Sequence, residues 1–279
     1  MRENVPLSIL TTFKIGGPAR FFVTVKSKEK LVRLISALKY IEHPFRVIGA
    51  GSNILAGDRG YDGVIIRLGF REIVENQNFI YADAGCSLAA VAKKVAELSL
   101  SGLEFACGIP GTIGGAVYGN SGACGSSIKD VVLMVDVLHN GEIISMDNLQ
   151  CKFDYRTSLF KRRRDLIIVG AYFSLRQDNQ DDIKSRMLEN NKKRLATQPK
   201  GASAGSVFRN PNIPVGRLID ELGLKGTRIG GAIIADKHAN FILNIDNATS
   251  RDVQKLINLI QKRVRQEHGI NLKTEIEVL

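Results

Sequence analysis

The sequence predicts an α+β protein whose final third folds as a separate α+β domain. Three observations point there. Stretches with apolar residues at i, i+3, i+4 and i+7 interleave with short apolar runs of strand length. An Asn-Gly dipeptide separates two β-rich runs in the middle of the chain. A polar patch at residues 176–182 then precedes a new set of helices and strands and reads as a boundary.

In chain order, residues 21–25 read as a strand. Ser27 can cap a helix that carries Leu31, Leu34, Ile35 and Leu38 on one face. Residues 45–48 form a short apolar run that stops at Gly49, and residues 63–68 and 79–84 are further strands. Ser87 can cap a second helix, with Leu88, Val91, Val95 and Leu98 aligned. Residues 131–138 and 142–146 flank Asn140-Gly141 as the arms of a hairpin with a type I′ turn, and residues 166–175 form one more strand. Beyond the polar patch, a helix over 183–194 is basic towards its C-terminal end, where cations suit the dipole. A short helix over 215–222 ends at Gly223, and strand-like runs at 232–235 and 241–245 follow. Thr249-Ser250-Arg251-Asp252 is a capping box. It opens a helix that buries Val253, Leu256, Ile257, Ile260 and Val264 and stops before Gly269. In the last strand Leu272, Thr274, Ile276 and Val278 face one way, and Lys273, Glu275 and Glu277 the other.

Composition narrows the class. With 44% hydrophobic and 24% charged residues, the 279-residue chain is ordinary globular protein with room for two or three domains. No apolar run reaches the length of a membrane span, and the opening MRENVPLSIL lacks the basic-then-apolar pattern of a signal peptide, so a cytoplasmic protein is expected. Cys86, Cys107, Cys124 and Cys151 have neither zinc-ligand nor C-x-x-C spacing, and the four histidines do not cluster with them. Free thiols and no metal are expected. The net charge of +11 is concentrated in Lys161-Arg162-Arg163-Arg164 and Lys192-Lys193-Arg194. A nucleic-acid surface would explain it, as would a field that gathers anionic small molecules. The absence of tryptophan weakens the base-stacking case.

Two glycine-rich segments carry chemistry. One is Gly49-Ala50-Gly51-Ser52-Asn53 after the short strand. The other spans residues 108–125, where seven of eighteen residues are glycine. Its candidate ligand contacts are Gly108, Pro110, Gly111, Thr112, Gly114, Gly115, Ala116, Asn120, Gly122 and Ala123. Glycine lets backbone N–H groups approach and face an anion, and two such segments suit a dinucleotide pyrophosphate. Glycine turns required only by chain geometry are the alternative. Neither segment is a Rossmann fingerprint or a Walker loop.

Seven blocks, in order, resemble the UDP-N-acetylenolpyruvoylglucosamine reductase family. They are Thr11-Thr12-Phe13-Lys14-Ile15-Gly16-Gly17-Pro18-Ala19, the Gly49–Asn53 turn, the Gly-Ile-Pro-Gly-Thr-Ile-Gly-Gly run from Gly108, and Tyr155-Arg156-Thr157-Ser158. The remaining three are Ser203-Ala204-Gly205-Ser206-Val207-Phe208-Arg209-Asn210-Pro211, Ala235-Asp236-Lys237-His238-Ala239-Asn240-Phe241 and Leu272-Lys273-Thr274-Glu275-Ile276. The resemblance implies a two-subdomain FAD-binding region of the vanillyl-alcohol oxidase (PCMH) type, over residues 1–75 and 76–180. It also implies a C-terminal α+β substrate domain over 181–279. The chain resembles the compact form of the family, which lacks an extra loop and its tyrosine, and Arg209 stands where lysine is more usual.

The implied activity is NADPH-dependent reduction of UDP-N-acetylglucosamine enolpyruvate to UDP-N-acetylmuramate, with noncovalent FAD. Arg156 and Glu275 are implied to contact the substrate carboxylate, and Ser206 to give a proton to the α-carbon. Asn210 is implied to touch the UDP diphosphate, and Lys237, His238 and Asn240 to line the nucleotide pocket, a structural turn being the alternative for those three. No membrane, nucleic-acid or obligate protein partner is expected. An FAD oxidase or dehydrogenase of the same fold is the competing enzyme, and a basic nucleic-acid-binding protein the competing class.

Overall fold

The computed structural model describes residues 1–210 and 214–279; Pro211, which ends the serine-containing block, lies outside them. The chain divides into two compact units, each assembled from separated segments. One comprises Val23–Gly49 and Ile65–Arg194, the other Met1–Phe22, Ala50–Val64 and Leu195–Leu279.

The first of these units is built on a five-stranded antiparallel sheet. Its spatial order is Glu142–Asp147, Val132–His139, Ile167–Ser174, Phe79–Asp83 and Ile73–Asn76. The expected hairpin is present: His139 pairs with Glu142, and Asn140 and Gly141 both have positive φ (49° and 88°), as a type I′ turn demands. Helix α1 (Lys28–Tyr40) is capped by Ser27, whose side chain accepts from the Lys30 N–H, and it buries Leu31, Ile35 and Leu38. Lys28 anchors its first turn, donating to the Tyr81 hydroxyl (2.7 Å) and pairing with the buried Asp83 carboxylate (3.1 Å). Helix α2 (Leu88–Glu97) is capped by Ser87 and buries Leu88, Val91 and Val95 with Ala92 and Ala96. Helices α3 (Ile113–Gly119) and α4 (Leu159–Arg162) are short.

Helix α5 (Gln180–Thr197) begins inside the polar patch, earlier than the expected start at 183. The Asn179 side-chain oxygen accepts from the N–H groups of Asp181 and Asp182 at 2.8 and 3.2 Å, and those two acids form the first turn. The polar patch is therefore the capped start of a helix. Arg186 then holds α5 in place through Glu104 (2.9 Å) and Asp178 (2.6 Å).

In the second unit, Arg2–Pro6 pairs antiparallel with Pro18–Val25. A three-stranded antiparallel sheet follows the order Arg228–Ile229, Ala232–Ile234, Ile242–Asn244. Helices α6 (Val215–Glu221) and α7 (Ser250–His268) pack with it around one apolar cluster that includes Phe13, Leu55, Phe208, Ile219 and Ile260. The α7 capping box forms reciprocally between Thr249 and Asp252, all five expected apolar residues are buried, and Gly269 (φ 68°) ends the helix. The final segment is extended but only Glu277–Val278 is regular strand, parallel to Ile54–Leu55. Leu272 and Ile276 are buried as the alternation requires, whereas Val278 is 68% exposed. Among the described residues no helix is long and apolar enough to cross a membrane.

Candidate functional site

In the first unit, strand Phe45–Ile48 delivers Gly49 against the second glycine-rich segment: a Cβ on Gly49 would lie 2.5 Å from Thr112 Oγ1. The two segments thus meet where there is no room for a side chain. Residues 108–125 are not one open loop, because α3 sits within them. Thr112 caps α3 by accepting from the Gly115 N–H at 3.3 Å. The Ile113 and Gly114 N–H groups donate to the carbonyls of Cys86 and Ala84, both at 2.9 Å, and Gly111 O accepts from Leu88 N at 3.1 Å. Gly114 permits this docking, since a Cβ there would come within 3.0 Å of the Ala84 methyl. The Gly114 N–H is therefore taken by Ala84 O and the Gly115 N–H by Thr112 Oγ1, while Gly115 itself is exposed.

Asn120 ends α3 in the left-handed conformation (φ 44°) and is 3% exposed. Its amide donates to Asp154 O (2.9 Å) and accepts from Lys129 N (3.0 Å), so it fastens rather than faces outward. The Tyr-Arg-Thr-Ser block forms a tight turn in which Asp154 and Thr157 exchange backbone hydrogen bonds, both 3.1 Å. Arg156 sits at its tip with φ 53°, and its guanidinium donates to Gly122 O at 2.7 Å. Ser158, fully buried, donates to Tyr118 O at 2.7 Å. Three side-chain bonds thus tie the Arg156 turn to the glycine-rich segment.

In the second unit, Ser206 and Glu275 stand on neighbouring extended segments. Residues 206–209 lie between two partners. On one side Ser206 bridges Phe241 and Val207 N donates to Asn240 O (2.8 Å). On the other, Glu275 N donates to Val207 O (2.7 Å) and Arg209 N to Lys273 O (3.0 Å). Asn53 secures the outer segment: its amide donates to Glu275 O (3.2 Å) and its carbonyl accepts from Glu277 N (2.9 Å). The Asn53 side chain thus holds the Glu275 backbone, a role with no local signature, since the partners are 222 positions apart. Thr12 is likewise without a local signal; its hydroxyl donates to Ser203 O at 2.7 Å. Arg209 Nε is buried with no hydrogen-bond partner among the described residues.

The three residues expected to line the nucleotide pocket, Lys237, His238 and Asn240, stand on one short segment. Lys237 donates to Leu195 O (2.6 Å) in the last turn of α5. His238 Nδ1 accepts from Asn240 N (3.2 Å), and its ring meets Phe241 edge-on at 5.0 Å. Burial holds the His238 imidazole below its ordinary pKa. Asn240 is 1% exposed, and its amide accepts from Phe208 N (2.9 Å) and donates to Phe208 O (2.8 Å). Asn210 Oδ1 accepts from Val215 N (3.0 Å) at the start of α6.

Comparison with known proteins accounts for both glycine segments and the serine block together. Residues 19–147 match the FAD binding domain family and residues 198–279 the UDP-N-acetylenolpyruvoylglucosamine reductase C-terminal domain, which bears out the flavoprotein fold class expected from the motifs. The UDP-N-acetylenolpyruvoylglucosamine reductase of Pseudothermotoga lettingae is 44% identical over 100% of this chain and 97% of its own length. That of Bacillus pumilus is 40% identical over 99% of this chain and 93% of its own. The crystal structure of the Thermus caldophilus enzyme superposes with a TM-score of 0.87 at 36% identity, covering 99% of this chain and 98% of that one. Identity at this level along the whole length, with the two domain matches in order, shows that the chain belongs to the UDP-N-acetylenolpyruvoylglucosamine reductase family, FAD-containing oxidoreductases of peptidoglycan precursor synthesis.

Proposed function

We propose that the chain works in the cytoplasm with a UDP-sugar enolpyruvyl ether and NADPH as its substrates, and that Ser206, Glu275 and Arg156 serve the reduction of the enolpyruvyl double bond. The observation that carries this is the pairing of the Ser206 and Glu275 segments through Glu275 N to Val207 O at 2.7 Å. Bound FAD supplies the hydride relay between the two substrates. Hydride arrival at the β-carbon leaves an electron pair at the α-carbon, conjugated with the carboxylate. That charge needs a proton donor and an electrophilic clamp. Ser206, a half-buried residue, is the donor through its hydroxyl; an alcohol suffices because a carbanion is strongly basic. Glu275 helps when protonated, donating to the substrate carboxylate instead of repelling it. The role of Arg156 rests on its motif.

The residues present fit a noncovalently held dinucleotide. Gly49 and Thr112 meet with no space for a Cβ, and this brings backbone from the two glycine-rich segments together. Neither segment contains a histidine for covalent attachment. In this reading residues 1–75 and 76–180 serve FAD and residues 181–279 the UDP-sugar; the domain matches over 19–147 and 198–279 support an FAD region followed by a separate C-terminal domain.

The test separates the half-reactions. Denaturation should release FAD from the chain. Ser206→Ala should bleach normally with NADPH but recover its colour with the enolpyruvyl substrate roughly a hundred- to ten-thousand-fold more slowly, the usual contribution of a general acid. Equal slowing of both halves would make Ser206 a packing residue, and no slowing would remove it from the chemistry.

A further inference from the structure

We propose that Asn240, oriented by His238, is a positioning residue that fixes the backbone at Phe208 and so aims Ser206 at the carbon it protonates. The inference rests on Ser206 as the proton donor. It assigns Asn240 and His238 to the proton-transfer step and not to nucleotide recognition.

The turn that carries Asn240 closes on itself. Phe241 N donates to His238 O (2.9 Å), and Asn240 N donates to His238 Nδ1 (3.2 Å). With its own N–H turned away, the backbone of Asn240 cannot complete a strand ladder with the serine segment. Its side chain does so instead: one primary amide matches both the N–H and the C=O of Phe208, at 2.9 and 2.8 Å, as an antiparallel partner would. Asn240 O takes the Val207 N–H at 2.8 Å, and Ser206 bridges Phe241. Three consecutive residues, Ser206 to Phe208, are thus tied to this one turn.

The arrangement is dry and held from behind. Asn240 is 1% exposed and Phe208 fully buried, so the amide is not open to a nucleotide. His238 is packed where a Cβ on Gly216 would come within 2.9 Å of its Cε1. Accepting at Nδ1 places its ring proton on Nε2. A serine donates to carbon only across a short, aligned contact, and a misplacement of about 1 Å costs on the order of a hundredfold.

The experiment uses the full-length, FAD-loaded enzyme carrying Asn240→Asp or His238→Ala. Asn240→Asp keeps the acceptor for Phe208 N but sets a carboxylate oxygen against Phe208 O. Expected are a roughly 10- to 100-fold slower colour recovery with the enolpyruvyl substrate and a larger solvent deuterium isotope effect on it. NADPH bleaching and UDP-sugar affinity should stay within about threefold of the parent. Amide exchange at Val207 and Phe208 should quicken even without substrate. In a Ser206→Ala background neither variant should slow the step further.

Weakened UDP-sugar binding with an unchanged recovery rate would overturn the proposal in favour of nucleotide contact. Proportional loss in both half-reactions, or full additivity with Ser206→Ala, would overturn it in favour of general packing. If Asn240→Asp fails to fold, His238→Ala carries the test alone. Should Ser206→Ala itself recover at the parent rate, the proton-donor assignment fails first. A slow Ser206→Ala beside fast Asn240 and His238 variants defeats only the positioning role.

Discussion

Gly49→Ala tests the contact on which the FAD assignment leans. The φ of Gly49 lies outside the left-handed region, so alanine meets no backbone strain there. Considered alone, the change would stabilise the chain by ~0.4–1 kcal/mol through the unfolded state. The contact reverses the sign. The new methyl would lie 2.5 Å from Thr112 Oγ1, about 0.9 Å inside the 3.4 Å at which ordinary contact begins (3.4 − 2.5). Thr112 can yield only by turning Oγ1 away from Gly115 N, which forfeits the α3 cap at about 1 kcal/mol; if it does not turn, overpacking costs about 1–3 kcal/mol. Thr112→Ala alone should cost about 1 kcal/mol for the cap. In the double variant the close contact is gone and the Cβ of residue 112 lies at an ordinary 3.6 Å from the methyl. The pair should therefore be no less stable than Thr112→Ala, with a coupling of about 1–3 kcal/mol. Urea unfolding of the four proteins, with and without added FAD, measures this. Additive losses, with a coupling below ~0.5 kcal/mol, would refute the claim that this approach constrains the loop. A double variant that recovers stability but not the increment from FAD would show that the ligand also needs the bare backbone at Gly49.

Three further outcomes are expected. Arg156→Gly should abolish most turnover yet leave unfolding within about 1 kcal/mol of the parent, because relief of the left-handed strain at φ 53° offsets the lost bond to Gly122 O; a large loss of stability would make Arg156 structural. His238, whose pKa burial depresses, binds protons more readily once unfolded, so it subtracts stability as pH falls below the unfolded value of 6.5; His238→Gln should flatten the stability curve just below that pH, and an unchanged slope would contradict the burial argument. Towards an aromatic disulfide reagent, exposed Cys124 should react at once and Cys107 slowly. Cys86 and Cys151, pushed by burial to about 11 and about 12, should react only on unfolding, and early loss of all four thiols would show that the core opens readily.

What was legible in the sequence was local. Helix α7 shows this: the capping box and the single apolar face depend on residues three and four apart, and all five expected side chains are buried. The Asn140-Gly141 turn was equally self-contained. Elsewhere a partner far along the chain, or an element yet to form, decides the role of a residue. Asn179, Asp181 and Asp182 read as part of a polar boundary until a helix forms on them. Helix α3 has glycine at positions 114, 115 and 119, against propensity, and stands because Ala84 and Cys86 accept its first N–H groups.

The two glutamates near the C-terminus carry the point into the site. Alternation places Glu275 and Glu277 on the same face and cannot choose between them. Register chooses: Glu275 N donates to Val207 O, which puts that residue beside the serine segment, while Glu277 pairs with Ile54. A shift of two residues would exchange the two carboxylates without altering the hydrophobic pattern. The pattern therefore leaves the choice to specific bonds, and the Asn53 amide on Glu275 O and the Asn240 amide on Phe208 supply them. In both places a side chain stands in for a strand partner. For that reason periodicity is blind to the pairing of the Ser206 and Glu275 segments, and only whole motifs point to it.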